Sequence, residues 1–377
     1  MGNSSGLEGV VAATTALSDV DGERGELVIA GYAVGELAGR ATFEETTWLL
    51  WHGRLPTGPE LQAFRDELAD QRALPEPTTR LLGECALRGV DPMDALRMAA
   101  GTISLVSDRP AAIVARMPSI VATFWRLRQG TDLIAPRRDL GHAANFLYML
   151  SGEVPDPERV RGLETYLNTV VDHGLNASTF TARVITSTGS DLVSAIVGAL
   201  GALKGPLHGG APGPALDMVF EIGDASRAED VLRRKIQSGE KLMGFGHRVY
   251  KVRDPRADVL AAAAERMFTR AGDMSLYGLA RAVEATALRL LEEHKPGRRL
   301  QTNVEFYTAL LLHGLGLETA LFTPVFAVSR VSGWIAHAIE QRRANRIIRP
   351  QSEYSGPRNL TWTPVSDRTS HAELPVH

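Results

Sequence analysis

Hydrophobic positions along most of the chain recur with the 3.6-residue period of a helix. Val160, Leu163, Leu167, Val170 and Val171 form one such stripe, the pattern of an amphipathic helix with a single buried face. Asp156 and Pro157 supply its start: a side-chain acceptor for orphan amides, then a residue pre-set for the first helical position. A second stripe, Leu276, Leu279, Ala280, Val283, Ala287, Leu290 and Leu291, runs toward Gly297, which reads as a stop. Shorter stretches predict helices over 43–51, 59–71, 94–105, 111–128, 178–188 and 324–342. Pro118, inside the fourth, is expected to kink or break it. Period-two alternation is confined to 25–32, enough for a small hairpin and too little for a sheet core. The pattern therefore predicts an all-α protein.

Composition narrows the function classes. The 377 residues are 44% hydrophobic and 23% charged, as in ordinary globular proteins. A net charge of −3 gives no electrostatic footprint for nucleic acid. One cysteine, Cys85, excludes a disulfide framework and a multi-cysteine zinc module. The first ten residues lack a basic segment followed by an apolar one, so no signal peptide is expected there. The longest apolar run, 192–203, is far shorter than the ~20 residues of a membrane span. The simplest expectation is a soluble cytoplasmic enzyme without nucleic-acid or membrane partners.

Two breaks stand out, Gly209-Gly210-Ala211-Pro212-Gly213-Pro214 and 314–323. All five lysines (Lys204, Lys235, Lys241, Lys251, Lys295) lie in or beside the segment between them, while the other 36 basic residues are arginine. That bias fits either chance in an arginine-rich chain or a lid-like part carrying cations for a phosphate-bearing ligand. From about residue 350 the chain turns polar, as an extended arm would.

Of ten histidines, His52, His294, His371 and His377 fall at helix ends or in the tail and suit solvent. His142, His313 and His337 fall on helical stripes and suit a core or an interface. No spacing suggests a metal site. His173 (DHGLN), His208 (PLHGG) and His247 (GFGHRVY) differ, because each sits at a break beside glycine, which permits tight turns and close approach to a ligand.

PLHGG, GFGHRVYKVRDPRA and NVEFY, in this order and spacing, resemble the citrate synthase family. The likeness spans almost the whole chain, from GLEGVVAATTALS through DHGLNASTFTARV to FAVSRVSGWIAHAIEQ and RPQSEYSGP. It implies a two-domain helical homodimer: a large domain from 1–210 and 316–377, with the C-terminal arm, and a smaller mobile domain over 211–315.

The resemblance also implies a reaction, the condensation of acetyl-CoA with oxaloacetate and water to citrate and CoA. No separate cofactor or metal is then needed. By motif match Glu305 is the base that removes a proton α to the thioester. His208 is the donor to the developing enol, and His247 polarises the ketone of oxaloacetate. A histidine of this kind can be held neutral by a helix N-terminus. His173, Arg256, Arg330 and, across the dimer, Arg349 match the oxaloacetate contacts, where carboxylates call for bidentate arginines. For CoA the match gives the backbone of Leu242, Met243 and Gly244, with Lys251, Arg298 and Arg299 toward the phosphates.

Two departures matter. The family's usual NVDFY is NVEFY here, and one extra methylene displaces a carboxylate by about a bond length; ~1 Å of misplacement can cost ~10²-fold in rate. Ala30 stands where the family commonly has arginine, and nothing in the sequence explains it. Two alternatives follow: a 2-methylcitrate synthase using propionyl-CoA, or a non-catalytic dicarboxylate- or CoA-binding homologue. Against the second stands the retention of His208, His247 and the arginines.

Overall fold

The computed structural model describes residues 5–7, 9–209, 212–247 and 249–367. Gly210 and Ala211, at the expected domain division, and His371 and His377 lie outside these. Sixteen α-helices occur among the described residues. The first eight are α1 Val34–Ala38, α2 Phe43–His52, α3 Gly58–Gln71, α4 Glu76–Leu87, α5 Pro92–Gly101, α6 Pro110–Gln129, α7 His142–Ser151 and α8 Pro157–Val170. The second eight are α9 Ala177–Ser187, α10 Leu192–Leu203, α11 Pro212–Ile222, α12 Ala228–Gln237, α13 Pro255–Ala271, α14 Ser275–His294, α15 Val304–Gly314 and α16 Phe322–Arg343. The chain is all-α, as its periodicity predicts. A small antiparallel sheet, β1 Ser18–Asp21, β2 Glu26–Ile29 and β3 Tyr32–Ala33, carries the N-terminal alternation and adds a third short strand.

The local signals act as read. Asp156 caps α8 by accepting from the amides of Glu158 and Arg159 at 2.9 and 3.1 Å, and Gly297 lies just past α14 with φ +80°. Pro118 is different: α6 runs through it unbroken. The missing backbone donor is outweighed because Ala111 to Phe124 are buried without interruption, so the surrounding helices hold the backbone in place where propensity alone would end it.

Contacts divide the chain into Met1–Ile347 and Ile348–His377. Within the first unit, α16 runs through the core, burying Val325, Val328, Val331, Trp334, Ile335 and Ala338, and packs on α9, α6, α10, α2 and α8. Helix α13 packs on α15 and α8. At Gly333 a Cβ would stand 2.3 Å from the Val171 carbonyl oxygen, so glycine alone lets α16 approach the end of α8. The second unit is extended, with a short 3-10 turn at Val365–Asp367 and the Arg358 guanidinium over the Tyr354 ring. Among the described residues no single helix is long and apolar enough to cross a membrane.

Candidate active site

The GFGH loop is built by pairing with the chain ahead of α15. Gly246 N donates to Gln301 O at 2.7 Å, Asn303 N to Gly244 O at 2.9 Å, and Asn303 Nδ2 to Gly246 O at 2.8 Å. Gly244 and Gly246 have φ of +89° and +82°, and a Cβ on Gly244 would meet the Phe306 side chain at 2.9 Å. Glycine is required at Gly244 for conformation and for space. Asn303 also caps α15, accepting from Glu305 N at 2.9 Å. His247 and Glu305 are thus fixed by the same few residues.

The His247 tautomer follows from its contacts. Nδ1 accepts from the amides of Val249 and Tyr250, both at 3.0 Å. In the neutral ring the proton therefore sits on Nε2, making that nitrogen a donor. Arg256 Nη2 lies 3.4 Å from it. Burial, reinforced by the Arg256 guanidinium, lowers the His247 pKa to about 4, Asp254 opposing and Lys251 adding. The ring is neutral at pH 7.

Asp254 is the clamp beneath this pair. Its Oδ1 accepts from Arg256 N and Nε, both at 3.0 Å, and its Oδ2 from Arg256 Nη2 at 2.8 Å and from Val304 N at 3.2 Å. One buried carboxylate thus holds both a guanidinium and the first amide of α15. Burial disfavours its charge, but Arg256 outweighs this and keeps the Asp254 pKa below its ordinary value.

His173 lies opposite. Its Nε2 is 3.1 Å from Tyr250 Oη, and its ring centroid is 5.8 Å from that of His247. Burial pushes its pKa well down, with Arg256, Arg330 and His247 adding. The turn that carries it is pinned from below. Ser18 Oγ donates to Asp172 Oδ2 at 2.5 Å and accepts from Gly174 N at 2.8 Å, while His337 Nε2 lies 3.1 Å from Asp172 Oδ1. Arg183 Nη1 meets His337 Nδ1 at 2.8 Å, so Nδ1 accepts and Nε2–H donates to Asp172. His337 is a satisfied core histidine.

His208 follows α10, its Nε2 2.8 Å from Ser178 Oγ in the first turn of α9. Its ring meets the Phe326 edge with centroids 6.3 Å apart. Burial, with Arg330 adding, lowers its pKa to about 4, so desolvation and a nearby cation suffice to keep it neutral.

Arg330, on α16, is 1% exposed, donates from Nε to Val170 O at 2.7 Å and lies over Phe326. Among the described residues no carboxylate is within ion-pair distance of it. Burial lowers its pKa to about 10, Asp172 opposing and Arg256 adding. A buried guanidinium without an ion-pair contact is costly, and a bound anion relieves that cost. Glu305 feels the same Arg256: burial raises its pKa to about 7, Arg256 opposing and Asp254 adding. A carboxyl tuned near neutrality is the property a general base needs.

The structure therefore brings His173, His247, Arg256, Arg330 and Glu305 into one electrostatic neighbourhood, and His208 joins it through Arg330 and Phe326. Leu242 is buried, Met243 half-buried and Gly244 buried in the loop leading to His247. Lys251 is exposed, its amide donating to Gly22 O at 2.8 Å. Arg298 and Arg299 are exposed on the turn between α14 and α15. Arg349 belongs to the second unit. Tyr250, Asp254, Ser178 and Asp172 are additions to the sequence reading. Tyr250 and Asp254 lie inside the GFGHRVYKVRDPRA motif, and the Asp-Pro start of α13 was a signal for Asp254.

A helical scaffold that gathers neutral imidazoles, buried guanidiniums and a carboxyl tuned near neutrality has the make-up of an enzyme working by proton transfer on an anionic substrate. The family model described as "Citrate synthase, C-terminal domain" matches residues 6–351. Citrate synthase of Haloferax volcanii is 43% identical, covering 96% of this chain and 98% of that protein. The 2-methylcitrate synthase of Mycobacterium tuberculosis is 41% identical over 93% of this chain and 90% of that one. The citrate synthase of Thermoplasma acidophilum, solved as a ternary complex with carboxymethyl coenzyme A and oxaloacetate, superposes with a TM-score of 0.88. It shares 31% identity over 97% of this chain and 100% of its own. The chain belongs to the citrate synthase family, and is an enzyme of the acyltransferase type.

Proposed function

We propose that this enzyme condenses acetyl-CoA with oxaloacetate and water to give citrate and CoA. The observation that carries the reading is the gathering around Arg256 of a neutral imidazole with an Nε2 donor, His247, and a carboxyl raised to about 7, Glu305.

Glu305, as carboxylate, takes the proton α to the thioester. His208 donates to the thioester oxygen as negative charge develops there, and the His247 Nε2–H polarises the oxaloacetate ketone that the new enol attacks. Arg256, Arg330 and His173 hold the oxaloacetate, with Arg349 supplied by the second subunit of a homodimer. Water then cleaves the citryl thioester. The backbone of Leu242, Met243 and Gly244 receives the adenine end of CoA, and Lys251, Arg298 and Arg299 meet its phosphates. The segment 211–315 moves as the smaller domain, the protein works in the cytoplasm, and the chemistry needs no cofactor or metal.

A second reading, 2-methylcitrate synthesis from propionyl-CoA, is favoured by the near-equal identities to citrate synthase and 2-methylcitrate synthase relatives, 43% and 41%. One methylene in an apolar pocket changes selectivity by only ~1–3 kcal/mol. CoA release with oxaloacetate and each thioester tests both. Preferred turnover of acetyl-CoA is expected, preferred turnover of propionyl-CoA selects the second reading, and release from neither overturns the enzymatic proposal.

A further inference from the structure

Behind the site, a second buried carboxylate has no part in the chemistry above. Glu284, on α14, is 4% exposed and accepts four side-chain hydrogen bonds. Its Oε1 receives Thr302 Oγ1 and Arg253 Nη1, both at 2.7 Å, and its Oε2 receives Tyr307 Oη at 2.5 Å and Arg281 Nη1 at 2.9 Å. Arg281 Nη1 also donates to Tyr307 Oη at 3.0 Å. Burial disfavours the charge of Glu284, but these donors outweigh it and keep its pKa below the ordinary carboxylate value. The anion is thus the form around which the donors are arranged.

Arg281 lies one turn back on the same helix, and the other three donors come from two chain segments far apart in sequence. Arg253 immediately precedes Asp254, the clamp on Arg256. Thr302 immediately precedes Asn303, the cap of α15, and Tyr307 lies on the first turns of the same helix, two residues past Glu305. Asp254 N also donates to Thr302 O at 3.3 Å. Two carboxylates therefore staple the same segments, Asp254 through Arg256 and Val304 N, Glu284 through Arg253, Thr302 and Tyr307. The tyrosine of NVEFY has its physical reason here: its hydroxyl anchors the base-bearing helix to Glu284.

We infer that Glu284 is a positioning residue that locks the Arg253–Arg256 segment to the start of α15 and so fixes Glu305 relative to Arg256 and His247. The inference rests on the proposed role of Glu305 as the base. Arg256 keeps its own clamp in Asp254, so loss of Glu284 acts on the base more than on oxaloacetate binding.

The test uses the full-length protein and its preferred acyl-CoA, unlabelled or deuterated at the α-carbon. Glu284→Gln keeps the shape and removes the charge. It is expected to lower kcat by ~10–100-fold, the cost of displacing a reacting group by about 1 Å. The KM for oxaloacetate should change less than about threefold, and the deuterium isotope effect on kcat should rise as proton removal becomes limiting. Tyr307→Phe removes one donor and is expected to shift the same quantities in the same direction by less. Lower thermal stability with parental kcat and isotope effect per folded site would reduce Glu284 to a structural role and overturn the inference. If Glu284→Gln does not fold, parental values in Tyr307→Phe overturn it equally. Glu305→Gln is the control: near-parental turnover there removes the base assignment itself, whereas its inactivity beside an unaffected Glu284→Gln removes the present inference alone.

Discussion

Ser178 Oγ lies 2.8 Å from His208 Nε2 and 2.8 Å from Asn176 Oδ1, and it has one proton to give. Trp334 Nε1 donates to the same oxygen at 3.1 Å. When the proton goes to Asn176, His208 must donate from Nε2 and keeps a bare Nδ1. When it turns to His208, the ring carries its hydrogen on Nδ1, the nitrogen left for a substrate. Only the second arrangement serves the proposed donation from His208 to an enol oxygen, so in that mechanism Ser178 turns its proton from Asn176 to His208.

Ser178→Ala should therefore lower kcat by ~10-fold or more, short of the ~10²–10³-fold for outright loss of an oxyanion donor. The KM for oxaloacetate should stay near the parental value, since Arg256 and Arg330 are untouched. Steady-state kinetics with verified folded protein decides this, and an unchanged kcat would release Ser178 from the role.

Glu305 predicts the pH dependence. With its pKa raised to about 7, the free enzyme gains its base as pH rises through neutrality, so kcat/KM should climb on the acid side with a midpoint near 7. A carboxyl raised in the fold stabilises below its ordinary unfolded pKa, and that stability is lost as pH rises through the folded value. Glu305→Gln should nearly abolish turnover yet leave the protein more resistant to heat at pH 8 than its parent, by about 1–3 kcal/mol. Glu305→Asp should lower kcat with little change in oxaloacetate affinity. Faster turnover by the aspartate variant would mean that the site is not fitted to the longer side chain.

Gly333→Ala tests the approach of α16 to α8. The new methyl would stand 2.3 Å from the Val171 oxygen, and overpacking of this kind costs about 1–3 kcal/mol. Because Val171 leads directly into Asp172 and His173, thermal melting should fall by several degrees and the KM for oxaloacetate should rise. Calorimetry and kinetics on the same preparation check both.

Arg349 in the proposed homodimer gives a mixing experiment. Subunits carrying Arg349→Ala and His247→Ala, inactive apart, should regain part of the activity in isolated heterodimers, since one of the two sites then has both groups. No recovery in verified heterodimers would place Arg349 with its own chain's site or with none.

The sequence announced most helices because their stripes face one core, as in α8 and α14, and because Asp156 and Gly297 mark real ends. Pro118 misled for a physical reason: burial along α6 overrides a local breaker. His173, His208 and His247 were visible because each sits in a glycine-marked turn. The parts that aim them were not. His337 reaches Asp172 across 165 positions, and Glu284 meets Thr302 only because α14 folds back on the chain before α15. Such pairs have no local period or spacing to reveal them. Ser178 was hidden inside a quoted motif, since a serine in a first helical turn usually serves the backbone alone.

The hydrogen bond from Lys251 N to Gly22 O joins the hairpin turn between β1 and β2 to the loop just past His247. A shortened version of this enzyme that begins after the three-stranded sheet would keep every proposed catalytic side chain. It would nonetheless lose a doorstop: the loop that presents the His247 donor would keep its pairing with Gln301 and Asn303 but lose its rest on Gly22, and Ser18 would no longer hold the Asp172–Gly174 turn. For anyone trimming or tagging the chain, the hairpin of Ser18–Asp21 and Glu26–Ile29 is a working part.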